Sequence, residues 1–250
     1  MKKRINKLVC FILCFAMAIS VLTVTTSALV SDGTEPISVA AGGNFTVALR
    51  FDGTVWAWGQ NNLGQLGNAS NTASNTPVQV RSVGGTGYLT SIVAIAAGQD
   101  FALALGNDGR VFAWGNGAEG RLGNGLLANN NTPVQVSIPA TAGAIVEIAA
   151  GTAHSIARTS DGRLVAWGNN GNARLGDGTL TNRPIPVFVL ERGLPANIHF
   201  ENVIGIAAGD AHSVALRADG TVWAWGNSAN GRLGNPSVPA VVGRPEPVYS

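Results

Sequence analysis

The sequence predicts an all-β fold of four stacked, four-stranded units, and three observations predict it. A block of motifs recurs four times in phase. Ala-Ala-Gly stands at Ala40-Ala41-Gly42, Ala96-Ala97-Gly98, Ala149-Ala150-Gly151 and Ala207-Ala208-Gly209. Trp-Gly stands at Trp58-Gly59, Trp114-Gly115, Trp167-Gly168 and Trp225-Gly226, its glycines 56, 53 and 58 residues apart. Leu-Gly and Pro-Val pairs follow in each unit, the last Pro-Val being Pro247-Val248. Second, Asp-Gly separates two apolar runs in every unit, at Asp52-Gly53, Asp108-Gly109, Asp161-Gly162 and Asp219-Gly220. Third, those runs are apolar at nearly every position, as in a sheet covered on both sides.

The chain opens on Lys2, Lys3, Arg4 and Lys7, followed by an uncharged stretch from Leu8 to Val24 and small residues up to Ala28. This is the layout of a secretory signal peptide over residues 1–28. At its length the apolar run also suits an uncleaved N-terminal anchor, and an exported or cell-surface location is expected either way. A short linker, residues 29–36, leads to the repeats, which divide at about 37–91, 92–144, 145–202 and 203–250.

Within each unit the Asp-Gly pair suits a two-residue hairpin turn with positive φ at both positions. That register sets Val47 opposite Trp58 and Ala48 opposite Ala57 in the first unit, and Val214 opposite Trp225 in the fourth. Each hairpin then has one bulky and one small face, and units stack ridge into hollow. With the strand ending in Ala-Ala-Gly and the Pro-Val strand, every unit holds four strands. Stacked units of this size are propeller blades.

Composition narrows the function. The 250 residues include 33 glycines, 12 % charged residues, 46 % hydrophobic residues and 6 % aromatic residues. A charge-rich disordered tail and a coiled coil are both excluded. The full chain carries +2, but beyond residue 28 it keeps 12 Arg against 14 Asp and Glu, a net charge of −2. Such a surface has no cationic excess for phosphates, so nucleic acid is not an expected partner. All three lysines and both cysteines precede residue 28. That leaves no disulfide, thiol nucleophile or Schiff-base lysine in the repeats. Neither a hydrolase signature nor a phosphate or calcium loop occurs. The expectation is a non-enzymatic domain without cofactor or metal.

The stretch Trp58-Gly59-Gln60-Asn61-Asn62-Leu63-Gly64-Gln65-Leu66-Gly67 resembles the signature of the regulator of chromosome condensation (RCC1-type) repeat family, as does Ile206-Ala207-Ala208-Gly209-Asp210-Ala211-His212-Ser213. The resemblance covers Ile37 to Val248. It implies a β-propeller, usually of seven blades with four antiparallel strands each. It also implies protein-binding roles: an exchange factor for a small GTPase, secreted bacterial inhibitors of β-lactamases, and surface modules. This chain, similar to a secreted bacterial-type member, departs from the pattern. It has four units. Its motif histidine is present as His154 and His212 but replaced by Phe45 and Phe101, and the motif asparagine is present as Asn61 and Asn170 but replaced by Gly117 and Ser228. A partial propeller in a longer chain, an oligomer-completed one, and four blades that close or stand alone all stay open.

Of the candidate site residues, the Trp-Gly pairs, His154 and His212 read as structural repeat motifs, and His199 reads as a loop residue. Arg121, Arg174 and Arg232, with Gln65 at the same position of the first unit, are expected to line one rim and could bind carboxylates on an unknown protein partner. The loops that vary most, 68–76 and 125–132 on one hand and 81–91 and 191–202 on the other, are expected to gather on one recognition face. Apolar outer blade faces would also allow a homo-oligomer.

Overall fold

Each repeat folds as one antiparallel meander in sequence order. The computed structural model describes residues 35–195 and 197–249. The expected signal segment and nearly all of the linker lie outside the described residues. Blade 1 holds β1 (Pro36–Ala41), β2 (Phe45–Arg50), β3 (Val55–Gly59) and β4 (Ser74–Gln79). Blade 2 holds β5 (Ile92–Ala97), β6 (Phe101–Gly106), β7 (Val111–Gly115) and β8 (Asn130–Gln135). Blade 3 holds β9 (Ile145–Ala150), β10 (His154–Thr159), β11 (Leu164–Gly168) and β12 (Arg183–Phe188). Blade 4 holds β13 (Val203–Ala208), β14 (His212–Arg217), β15 (Val222–Asn227) and β16 (Val241–Pro247).

The hairpin register differs by one residue from the predicted one. Gly53 N donates to Arg50 O at 3.0 Å and Arg50 N to Thr54 O at 2.9 Å. Of the Asp-Gly pair only Gly53 has positive φ, +76°. The loop therefore has three residues: a turn closed by a left-handed glycine and a bulge. Its aspartate side chain steadies it, with Thr54 N donating to Asp52 Oδ1 at 2.9 Å. Val47 now pairs with Ala57 and Ala48 with Trp56; Val214 pairs with Ala224 and Ala215 with Trp223.

Bulk is consequently divided between the two strands rather than between the two faces. Toward the next blade, β2 presents Phe45, Val47 and Leu49 while β3 presents Val55 and Ala57; these meet Ala102, Ala104, Phe112 and Trp114 of blade 2 in one buried cluster. Blade 2 repeats this with Leu103, Leu105 and Ala113 against Ala157, Val165 and Trp167. Ile156, Leu164 and Ala166 of blade 3 pack on Ala215 and Trp225 of blade 4. Ridges still meet hollows, but each face carries both.

The last Pro-Val pair is also out of register. Ala57, Ala113 and Ala166 pair with Val78, Val134 and Val187, whereas Ala224 pairs with Glu246. The structural counterpart in blade 4 is therefore Pro245-Glu246. Val248 takes the place of Val80, Val136 and Val189, its N–H donating to Val222 O at 2.9 Å.

The four blades form an open arc. Strand packing joins blade 1 to 2, 2 to 3 and 3 to 4, with nothing comparable between blades 4 and 1. Val39 of blade 1 and Leu216 and Val222 of blade 4 are exposed at its ends. The interior is tightly filled, so truncating an interior tryptophan is costly. Trp167→Ala is expected to lower the unfolding free energy by about 3–5 kcal/mol, read as a fall in the urea midpoint.

Candidate functional site: blade junctions and loop faces

In blades 2, 3 and 4 the Trp of the Trp-Gly pair locks its blade to the preceding one. Trp114 Nε1 donates to Gln65 O at 2.8 Å, Trp167 Nε1 to Arg121 O at 3.0 Å, and Trp225 Nε1 to Arg174 O at 2.9 Å. The indole lies on the glycine of the preceding Leu-Gly pair. A Cβ on Gly123, whose φ is +64°, would stand 2.8 Å from Trp167 Cδ1. The glycine after each Trp solves a second close approach. On Gly59, φ +110°, a Cβ would stand 2.5 Å from Asn44 O.

This places the expected arginine rim elsewhere. Gln65, Arg121 and Arg174 are buried. Their backbone carbonyls receive the tryptophans, and their side chains are used within the chain. Gln65 Oε1 accepts from Leu63 N at 2.9 Å. Arg121 donates to Ala118 O at 3.0 Å and pairs with Glu119 at 2.6 Å. Arg174 donates to Asp210 O at 3.1 Å. Arg232 donates to Ala229 O at 2.8 Å and is the one member of the set left partly exposed. The four positions are equivalent by repeat, but they do not make a carboxylate-binding surface.

His154 is wholly buried. Its Nε2 lies 2.9 Å from Ser213 Oγ, and Ser213 donates its own proton to Arg174 O at 2.8 Å. Nε2 must then carry the histidine proton, leaving Nδ1 a buried acceptor without a partner. Burial first, then the Arg174 and His212 charges, pushes the His154 pKa down to about 3. Ser213 is fully buried with its proton committed, so this contact does not build a nucleophile. The His212 pKa is also lowered, by burial and then by Arg232. His199 stacks on Phe188 with ring centroids 4.0 Å apart. Among the described residues no cluster of three His, Cys, Asp or Glu could hold a metal ion.

The meander sorts the variable loops onto two faces rather than one. Turns between first and second strands share a face with loops between third and fourth strands, which include 68–73 and 125–129. Connections between blades, such as 81–91 and 191–202, open on the opposite face with the Asp-Gly hairpins. On the first face the inner strand ends surround a cavity of about 450 Å³ lined by Gly42, Gly98, Gly151 and Gly209 with Gln99, Thr152 and Asp210.

The loops of that face are tied down by buried amides and by single backbone bonds to the next blade. Asn61, fully buried, donates from Nδ2 to Ser70 O at 2.9 Å and Thr72 O at 3.0 Å. Asn170 does the same for Thr179 O at 3.0 Å. Blade 2 has Gly117 in place of this asparagine, and its N–H donates to Asn129 Oδ1 at 3.0 Å. On these loops Leu126, Leu127 and Leu180 are 59 %, 63 % and 61 % exposed. Gly125 N donates to Pro184 O at 2.8 Å, which sets the Leu126-Leu127 loop of blade 2 beside exposed Ile185 of blade 3. Motif reading passed over these leucines because they belong to no repeat position. The signal available was an apolar pair in a Gly- and Asn-rich loop.

Comparison with known proteins agrees with this geometry. The RCC1-like domain matches residues 20–249. The human E3 ubiquitin-protein ligase HERC2 is 32 % identical over 196 residues, 78 % of this chain but 4 % of that protein. The Arabidopsis thaliana mitochondrial RCC1 domain-containing protein RUG3 is 27 % identical over 82 % of this chain and 45 % of its own length. In structure, yeast RCC1 (Prp20) bound to Kap60 superposes with a TM-score of 0.71 at 22 % identity, over 88 % of this chain and 50 % of that one. Human WBSCR16 gives 0.71 at 24 % identity, over 85 % and 52 %. The chain thus spans about half the length of these solved structures.

The buried histidine makes stability depend on pH. The unfolded chain takes up this proton near the ordinary value of 6.5, whereas the folded chain resists until about 3. The contribution is complete above 6.5 and is lost as pH falls toward 3, at up to about 1.4 kcal/mol per pH unit. His154→Phe, which copies the side chain of blades 1 and 2, is expected to flatten that slope in urea titrations between pH 6.5 and 5.

Proposed function

The chain belongs to the RCC1-like domain family, and on that premise we propose that it is an exported, non-enzymatic scaffold for protein–protein recognition. Recognition falls to the loop face that carries Leu126, Leu127 and Leu180. The observation that carries the reading is the contrast on this face. The repeat-motif residues at the interior junctions are buried and bonded within the chain, while the loops of this face hold large apolar side chains in water. Exposed apolar groups set on a rigid scaffold are what a protein partner desolvates. Relatives add support: the yeast RCC1 structure contains Kap60, and a second study of that protein reports binding to Gsp1p and histones. Export is supported by the basic start and the uncharged stretch Leu8 to Val24.

Two measurements test this. The chain recovered outside the producing cell is expected to begin at Leu29, by intact mass. A photo-crosslinker at position 126 is expected to capture a partner in the extracellular or envelope fraction. With that partner purified, Leu126→Ser combined with Leu127→Ser should weaken binding about tenfold, 1.4 kcal/mol. Val83→Ser on the opposite face should leave it unchanged. The reverse pattern, or no captured protein, overturns the reading.

A further inference from the structure

The two ends of the arc are the two halves of one joint. Every interior junction has the same parts. The forward face of one blade supplies a carbonyl, a left-handed glycine and a valine, and the next blade supplies a tryptophan. At the first junction these are Gln65 O, Gly67, Val80 and Trp114; a Cβ on Gly67 would stand 2.9 Å from Trp114 Nε1 and 3.0 Å from Val80 Cγ1. At the third they are Arg174 O, Gly176, Val189 and Trp225, with corresponding distances of 2.8 and 2.8 Å.

Blade 4 carries the receiving half unfilled. Gly234 has φ +61°, and the three atoms nearest a Cβ there would all belong to its own blade's Val248, the first at 2.7 Å. Among the described residues no indole reaches the Arg232 carbonyl. Gly120, one turn earlier in blade 2, comes against the next blade so closely that a Cβ would stand 2.3 Å from Pro184 Cα, yet at the equivalent Gly231 it would meet nothing within 4 Å. The same face has a hollow of about 250 Å³ lined by Gly205, Ala207, Val214, Leu216 and Val222. Blade 1 carries the inserting half. Trp58 is the repeat equivalent of Trp114, is only half-buried, and has no acceptor for Nε1 among the described residues. Trp56 stands beside it on the same face, where blades 2 and 4 present Phe112 and Trp223 to the preceding blade.

We propose that two copies of this chain associate head to tail, Trp58 of each seating on Gly234 of the other with its indole N–H on the Arg232 carbonyl. Each copy holds both halves, so two identical junctions close a two-fold ring. The ring has eight blades, within the range of closed propellers. Two substitutions make this junction weaker than the interior ones. Interior loops donate a backbone N–H across the joint, from Ala69 to Asn131 O at 2.8 Å and from Gly178 to Gly243 O at 2.9 Å. The equivalent residue of blade 4 is Pro236, which has no N–H. Glu246 stands where Val78 and Val134 pack, and it pairs with Arg192 at 2.7 Å. The pair is therefore expected to dissociate on dilution. These surfaces are the blade ends, not the loop face, so the inference stands apart from the reading of that face.

The test is the solution mass of the chain by light scattering and sedimentation from about 1 to 200 µM, a span that reads out a micromolar Kd. A concentration-dependent shift to twice the chain mass is expected. Trp58→Ala should hold the chain at the single mass with an unchanged circular dichroism spectrum. Gly234→Ala should do the same by blocking the indole seat. A wild-type monomer at the highest concentration overturns the proposal, as does a dimer that Trp58→Ala leaves intact. Open-ended polymers abolished by Trp58→Ala overturn the closed pair.

Discussion

The arc depends on an indole N–H reaching a backbone carbonyl across a blade junction. An indole buried between two sheets must have its one donor satisfied. The acceptor here is main chain, so the side chain on that residue is free to differ: Gln65 in one unit, Arg121 and Arg174 in others. The indole must also lie flat on the turn that presents the carbonyl. Only a glycine at positive φ lets it approach so closely. Recurrence of Trp, of Leu-Gly and of the intervening position therefore has one cause.

That cause explains what the sequence made legible and what it did not. Repeat number, strand number and blade stacking followed from Trp-Gly and Ala-Ala-Gly because those residues are fixed by junction geometry. The hairpin register did not follow. Asp-Gly serves a two-residue turn and a three-residue bulged turn alike, and the choice rests on whether the aspartate takes positive φ. Here its carboxylate accepts from the N–H two residues on, as Asp219 does from Thr221 at 2.9 Å, and only the glycine of the pair takes positive φ. The Pro247-Val248 pair misled because it copies the motif in letters two residues beyond the structural position. The arginines misled because an equivalent position was read as an equivalent surface. In a meander, successive connections alternate faces, so placing both loop sets on one face conflicted with the predicted topology itself.

The histidine slot shows how far a repeat position tolerates chemistry. In every blade the ring at this position lies on the glycine of Ala-Ala-Gly; a Cβ on Gly98 would stand 2.1 Å from Phe101 Cε1, and one on Gly151 2.4 Å from His154 Cε1. A flat ring of either kind covers that glycine. Imidazole adds a bond to the serine of the following blade, and only blade 4 offers Ser213 with an onward acceptor. The price is an unpartnered Nδ1, so the neutral tautomer is enforced by the absence of any acceptor for a second proton.

Two kinds of constraint are thereby kept apart in one chain. Junctions use backbone atoms, glycines and buried rings, which fix spacing and curvature. Loops are gripped by buried amides such as Asn61 and Asn170 and by one backbone bond to the next blade, and the exposed side chains at their tips pack on no blade core. An exposed tip side chain such as Leu126 can change without moving a blade, and a junction residue cannot. Blade 4 sits between these regimes. It retains the glycine, valine and carbonyl of the junction, yet Pro236 removes a cross-blade donor and Glu246, paired with Arg192, sets a carboxylate where the other blades have valine. Those two changes weaken its forward face for any Trp-bearing blade while leaving the glycine, valine and carbonyl of the indole seat in place.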